Sequence, residues 1–431
     1  MRQPSVLGNR NFLLFFSGQL ISRLGDGIYT LGLVWLMHVL TNSTLLMSLT
    51  LAASFVPRIV LGPMAGVLAD RWRKRRILII TDAVRFVLLA VLTFLTFSHL
   101  VTAWVLIVFS FVLAATSTLF TPAYTVLQKR IVSGEQLMQA NSLQQVSMNI
   151  AQIAGPALAG IFIGTVGVGM AFAIDAGTFI VSLLGITFVR VKEPVLVNDK
   201  LSIRAMFQEM GGGVAVLKGV PTVRALTPFM LVFNFMLVAL DNLLLVQFLS
   251  NSLGQGPLTI GLVTAAGAVG ELLSGTVLAF MQTKWTSTRG LLTNMVITAL
   301  CFIGVGFSPY AWIVGVLMFI TGFCMSIVNI SFFTGIQEQI PIDALGRVWA
   351  LLGAVFDGAT PLSQVVFGEL AAVVPLGSLI SIMGGMAALA GLGAFFHPAV
   401  RAGNLHSETA VSEVESLQPV ENPVAEPSGT R

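Results

Sequence analysis

Twelve runs of about 20 mostly apolar residues follow one another along the chain, each long enough to cross the hydrocarbon core of a bilayer as a helix. They fall near 12–38, 45–69, 77–98, 101–127, 137–164, 168–190, 223–249, 258–281, 290–307, 310–335, 346–373 and 376–397. A segment in lipid satisfies its backbone only as a helix or in a closed barrel. Runs this long and continuous predict helices. The separators are short and turn-like, as at Thr41-Asn42-Ser43-Thr44 and Ser308-Pro309-Tyr310. Only 10% of the 431 residues are charged and 55% are hydrophobic, with mean hydropathy +0.90. A soluble domain carries about 25% charged residues. So small a polar complement excludes a soluble enzyme, a nucleic-acid-binding module and a disordered hub. The predicted fold class is an all-α polytopic membrane protein with twelve transmembrane helices. The first run contains Arg23 and Asp26 and no convincing cleavage site, so it reads as a retained helix and not a signal peptide. Cys301 and Cys324 lie in apolar runs, and His38, His99, His397 and His406 are scattered. Neither a disulfide framework nor a metal site is expected, and no cofactor is implied.

Lysine and arginine set the orientation. Of the 23, Arg23, Arg58 and Arg85 lie inside spans, and the other 20 all fall on alternate loops or the termini. This asymmetry supports twelve spans and predicts that both termini lie in the cytoplasm. The organisation reads as a six-helix half over 1–190, a cytoplasmic linker over 191–222, a second six-helix half over 223–398, and a disordered acidic tail over 399–431. The linker mixes charge with Met206, Phe207, Val214 and Leu217, which suits a short helix on the membrane surface. The tail is rich in Glu, Pro, Ser and Val, a composition that does not bury a core. A weak repeat supports two related halves: Val126–Ile131 ends span four much as Gly335–Ile340 ends span ten, and Val67-Leu68-Ala69 recurs as Val277-Leu278-Ala279. Internal repeats of this kind are a common transporter plan, with the site between the halves.

Between spans two and three stands Gly66-Val67-Leu68-Ala69-Asp70-Arg71-Trp72-Arg73-Lys74-Arg75-Arg76. It resembles the loop signature of the major facilitator superfamily, with Gly66, Leu68, Ala69, Asp70, Arg71, Lys74 and Arg75 in place and Arg73 standing where the second glycine is usual. The resemblance implies the two-half major facilitator fold and a conformational latch at this loop, carried by Gly66, Asp70, Arg71 and Arg75 and linked to Asp82 and Arg85. In span five, Gly155-Pro156-Ala157-Leu158-Ala159-Gly160 resembles the Gly-Pro motif of the superfamily's drug–proton antiporters, carried here by Gly155, Pro156 and Gly160. The whole pattern, including Ser22-Arg23-Leu24-Gly25-Asp26, is similar to the macrolide-efflux and enterobactin-exporter branch.

An ionised side chain in a span costs on the order of 3 kcal/mol or more, so such residues usually pair or work. Arg23 and Asp26 are three apart on one helix face and, with Gln19 and Thr30, make a polar stripe. Asp26 is the first proton-coupling candidate, with Arg23 either its permanent partner or its modulator. Glu271, Asp241 and Asp357 follow as candidates to titrate or to bind a cationic substrate, with Arg58 a partner for any of them. Asp82 and Arg85, near the cytoplasmic end of span three, read as a structural pair. Asp175 is placed near the outer end of span six, within reach of water. Asn141, Gln145, Asn149 and Gln152 recur at helical spacing in span five as cavity lining or interhelical glue, and Tyr29 is a further cavity candidate. No ATP-binding loop, zinc motif or nucleophile elbow occurs. The resemblance implies a monomeric, proton-driven exporter of amphipathic small molecules such as drugs or macrolides, taking its substrate and protons as partners within the lipid bilayer. A dedicated siderophore or lipid exporter, and a non-transporting membrane sensor, are the alternatives.

Overall fold

The computed structural model describes the backbone of residues 6–132, 134–191, 214, 216–280, 287–340, 342–398 and 400. Residues 192–213 and 215 of the linker lie outside the described residues, as does the tail apart from residue 400, and so do the side chains of Gly66, Asp70, Arg71 and Asp241. Twelve helices are long and apolar enough to cross a membrane, and among the described residues there is no strand. In chain order they are α1 (Arg10–Thr41), α2 (Thr44–Arg71), α3 (Lys74–Phe97), α4 (Ala103–Ile131), α5 (Gly134–Val166), α6 (Val168–Phe188), α7 (Pro221–Ala239), α8 (Pro257–Phe280), α9 (Thr288–Phe307), α10 (Ala311–Gln339), α11 (Ile342–Leu370) and α12 (Leu376–Phe396).

The short connections work because their residues satisfy helix ends locally. Asn9 accepts hydrogen bonds from the backbone of Asn11 and Phe12 and so starts α1. Asn42 ends α1 in the left-handed conformation at φ 48°, returning its N–H to His38 O, and Ser43 at once caps α2. Gly167, at φ +86°, makes the tight turn from α5 to α6. Only Trp72 and Arg73 separate α2 from α3, so Asp70 and Arg71 are the last residues of a helix and not loop residues.

Helices α1 to α6 pack as the pairs 1·6, 3·6, 1·5, 2·4 and 3·4, and the second set packs as 7·12, 9·12, 7·11, 8·10 and 9·10. Adding six to each member of the first list gives the second. The halves meet through α5·α8 and α2·α11, which the same shift of six interchanges. Span seven departs from a single regular helix: past Ala239 it continues through π-helical turns at Leu240–Leu244 and Phe248–Ser252. Each π turn accommodates an extra residue and shifts the face that follows.

The halves close on each other at the end of the bundle whose loops carry no lysine or arginine. There Thr44 Oγ1 hydrogen-bonds Gln247 Oε1, Gln247 Nε2 reaches Met47 Sδ at 3.1 Å, and Asn251 Nδ2 donates to Asn42 Oδ1 at 3.1 Å. At the same end Gly368 seats the Ser48 side chain against α11. The glycines of α5 and α8 bring those backbones together: a Cβ on Gly160 would meet Pro257 O at 2.6 Å, and one on Gly261 would collide with Pro156 O. Fifteen residues further toward the basic end, Gln145 and Thr276 of the same two helices line a cavity. The helices touch at one end and diverge toward the other.

Candidate transport site

A cavity of about 670 Å³ sits mainly in the first half. Asp26 and Arg23 of α1, Arg58 of α2, Arg85 of α3 and Asp175 of α6 all open onto it. The helices place them at depth: Asp82 is eight residues into α3, roughly 12 Å along its axis, and Arg85 is one turn deeper. Asp26 is exposed to the cavity and lies within electrostatic reach of Arg85, Arg23 and Arg58, yet no described side chain makes an ion pair with it. Arg23, the partner its spacing suggests, turns away. It donates to Gln144 O at 3.2 Å and to Ser147 Oγ at 3.3 Å and lies 5.6 Å from the centre of the Tyr124 ring.

Asp82 and Arg85 do approach, at 3.9 Å between Oδ1 and Nη1, but Arg85 also faces the Phe120 and Phe179 rings at 4.8 and 5.4 Å and lines the cavity. It belongs to the chamber and not to the α2–α3 loop. A hydrogen-bond chain fixes the other face of Asp82: Gln19 Nε2 donates to Ser182 Oγ at 2.6 Å, and Ser182 Oγ donates to Asp82 Oδ2 at 2.6 Å. Three helices, α1, α6 and α3, are thereby joined through one carboxylate. Asp175, placed near water by its position in the sequence, is instead 1% exposed. Its carboxylate lies against Gly25, accepts a 3.2 Å hydrogen bond from Thr178 Oγ1 and interacts electrostatically with Asp26 and Arg85. Tyr29 lines the same cavity, its ring 5.9 Å from that of Phe172.

Two further cavities lie toward the second half. One, about 530 Å³, is bounded by Gln145, Asn149 and Gln152 of α5, Glu271 of α8 and Asn329 of α10. Asn141 stands apart from it, accepting from Gln128 Nε2 at 3.0 Å, so the polar stripe of α5 divides between glue and lining. The other, about 200 Å³, is aromatic, with Phe332, Phe333, Trp349 and Phe356 beside Asp357 and Asn234. Asn329 borders both. The Gly155-Pro156 element forms a joint in α5: Gly155 sits against Gly27 of α1 at 3.0 Å from a would-be Cβ, while Pro156 O sits over Gly261 of α8. Arg75 ties α3 to the end of α6, donating through Nε to Ile186 O at 3.1 Å and through Nη2 to Thr187 O.

A profile of the transmembrane secretion effector family, of major facilitator type, matches residues 4–430. The chain belongs to this family. It is a multi-pass membrane transporter and not an enzyme. Its relatives include the uncharacterized MFS-type transporter YfiS of Bacillus subtilis, 28% identical over 85% of this chain and 87% of the relative. Macrolide efflux protein A of Streptococcus pyogenes is 25% identical over 82% of this chain and 88% of the relative. The multidrug efflux pump Tap of Mycolicibacterium fortuitum is 25% identical over 92% and 98%. Among solved structures, a bacterial homologue of the iron transporter ferroportin, in an inward-facing state, superposes with TM-score 0.66 at 16% identity, covering 90% of this chain and 98% of that one. A D-xylose–proton symporter gives 0.68 at 14%, covering 91% and 99%. Such identities show a shared fold. Among the described residues no three His, Cys, Asp or Glu side chains gather as metal ligands would.

Within this transporter the sequence named Asp26, Glu271 and Asp357, and the cavities collect them, but it placed Asp175 near outer water and did not mark Gln364. Gln364 is fully buried and is a second-half residue, on α11, that borders the first-half cavity. Its neighbours Leu362, Val365 and Val366 are ordinary span residues, so nothing local marks it. Asp175 carried a signal, since it stands seven residues inside its helix among Ala173, Ala176 and Gly177, a position where a carboxylate is costly unless it is paired or working.

Proposed function

We propose that the chain is a proton-coupled exporter of amphipathic small molecules in a bacterial cytoplasmic membrane, with both termini in the cytoplasm and the cavities open to that side. The observation that carries this is Asp26: a carboxylate open to a central cavity, held near three guanidinium groups, with no ion-paired partner among the described residues. A carboxylate so placed can take or release a proton without breaking a permanent salt bridge. Asp175 supports the reading, because it sits within electrostatic reach of Asp26, so a proton on one bears on the other.

The energy suffices. One proton crossing 100 mV yields about 2.3 kcal/mol and each pH unit adds about 1.4 kcal/mol, enough for a concentration ratio of tens to hundreds. The names of the macrolide and multidrug relatives favour export of drug-like molecules over siderophores or lipids. The motif residues Asp70, Arg71 and Arg75 would latch the basic end as the halves rock, and the monomer would be the working unit.

The test is proton flux in liposomes holding pure protein. Adding a macrolide should drive proton movement and accumulation against a gradient. Asp26→Asn should abolish uphill accumulation while leaving downhill exchange. Full proton-driven export by Asp26→Asn, Asp175→Asn and Glu271→Gln alike would exclude these carboxylates as the coupling groups. An absence of macrolide movement by the wild type would exclude macrolides as the substrate.

A further inference from the structure

We infer that the chamber between α5 and the second half is a site for amphipathic organic cations, with Glu271 meeting the positive charge and the aromatic chamber beside it taking the apolar body. This rests on the transport reading and names its substrate class. From 225 to 283, from 290 to 346 and from 348 to 400 the sequence has no lysine or arginine, and among the described residues none lines either chamber. Yet Glu271 opens into one chamber and Asp357 into the other. The first half is arranged differently, for its three intramembrane aspartates, Asp26, Asp82 and Asp175, lie among three arginines. A carboxylate in the membrane interior is costly unless a cation meets it or a proton neutralises it.

The walls specify the cation further. Gln145, Asn149 and Asn329 border the Glu271 chamber with amides, which bear no net charge and can orient around a charged head. Asn329 also borders the second chamber, where Phe332, Trp349 and Phe356 present aromatic faces. Aromatic faces attract cations and accept apolar rings. Asn234 Oδ1 is buried there with no partner among the described residues, a free acceptor for a donor on the ligand. An inorganic cation would leave the aromatic chamber unused, and a neutral lipid would leave both carboxylates unmet. A molecule with one positive head and a ring-bearing body fits the pair of chambers together.

The experiment compares tetraphenylphosphonium with neutral triphenylphosphine oxide by calorimetry on the pure full-length protein in non-ionic detergent. The cation should bind about tenfold or more tighter than the neutral compound. Glu271→Gln should remove most of that preference while leaving triphenylphosphine oxide binding in place, and Trp349→Ala should weaken both. Glu271→Asp, which keeps the charge, should retain a preference for the cation. Equal binding of the two compounds by the wild type, or an undiminished preference in a folded Glu271→Gln protein, would overturn the inference. Proton-driven macrolide export that persists without any cation preference would sink this site alone. Cation preference without proton-driven movement would sink the coupling and leave the site standing.

Discussion

The carboxylate of Asp175 lies directly over the α-carbon of Gly25, where a β-carbon would collide with both Asp175 Oδ1 and Thr178 Oγ1. The residue after Gly25 is Asp26, so this one missing methyl group lets two carboxylates on different helices stand on the same wall of the cavity. The glycine sets the contact between α1 and α6, and the contact sets the electrostatics.

Gly25→Ala should therefore push Asp175 off its seat. Overpacking of this kind costs about 1–3 kcal/mol, which should appear as a lower thermal unfolding midpoint and as weakened coupling. Adding Asp175→Ala should recover the midpoint only in part, because Thr178 Oγ1 still crowds the new methyl group, and should not recover the coupling, since the charge is gone. A Gly25→Ala protein as stable and as active as the wild type would contradict this packing.

Gln247 should act as a clasp at the charge-free end, where it bonds Thr44 and contacts Met47. Gln247→Leu removes the hydrogen bonds at similar volume. A hydrogen bond of this kind contributes about 0.5–1.5 kcal/mol, so the open-at-that-end population should rise by roughly two- to tenfold. Spin labels at residues 42 and 251, whose side chains touch in this state, should report a growing long-distance component. An unchanged distance distribution would remove the clasp role.

The proposed orientation is open to a labelling test. Both native cysteines are buried and should stay unlabelled by an impermeant reagent. Cysteines at Ser98 and Ser252, exposed at the charge-free end, should react with an impermeant thiol reagent outside intact cells, whereas those at Lys129 and Gln337, exposed at the basic end, should not. The reverse pattern would invert the protein.

Arg75 and Asp70 should separate by phenotype. Arg75 holds two carbonyls at the end of α6, and hydrogen bonds from a charged group are worth about 1.5–3 kcal/mol each way of breaking. Arg75→Ala should lower the unfolding midpoint, and Arg75→Lys should restore little, because an ammonium lacks the planar fork. Asp70→Asn should leave stability near wild type and cut transport strongly if the latch role is right. Normal transport rates in a well-expressed Asp70→Asn protein would exclude it.

The twelve spans, the alternation of charge and the Gly-Pro joint of α5 were legible along the chain, because each depends on length, composition or a local backbone property. Depth was legible too, as it is simply a count of residues from a helix end. What counting could not supply was direction around each helix axis and which helix stands opposite. Asp175 looked peripheral by count, yet its face turns inward against Gly25. Arg23 and Asp26 looked paired by spacing, yet Arg23 finds carbonyl and hydroxyl acceptors on α5. Gln364 carried no local mark at all and is in the cavity only because α11 crosses α2.

The sequence by itself determined that this chain spans a membrane as helices and which of its residues are too costly to leave in lipid. The tertiary structure alone decided which groups face them: aspartates among arginines in the first half and, among the described residues, carboxylates beside amides and aromatic rings in the second. The physical reason is range. Burial of an apolar span and the preference of lysine and arginine for one side act residue by residue along the chain, whereas the energy of a buried charge depends on groups more than a hundred positions away that only helix packing brings within reach.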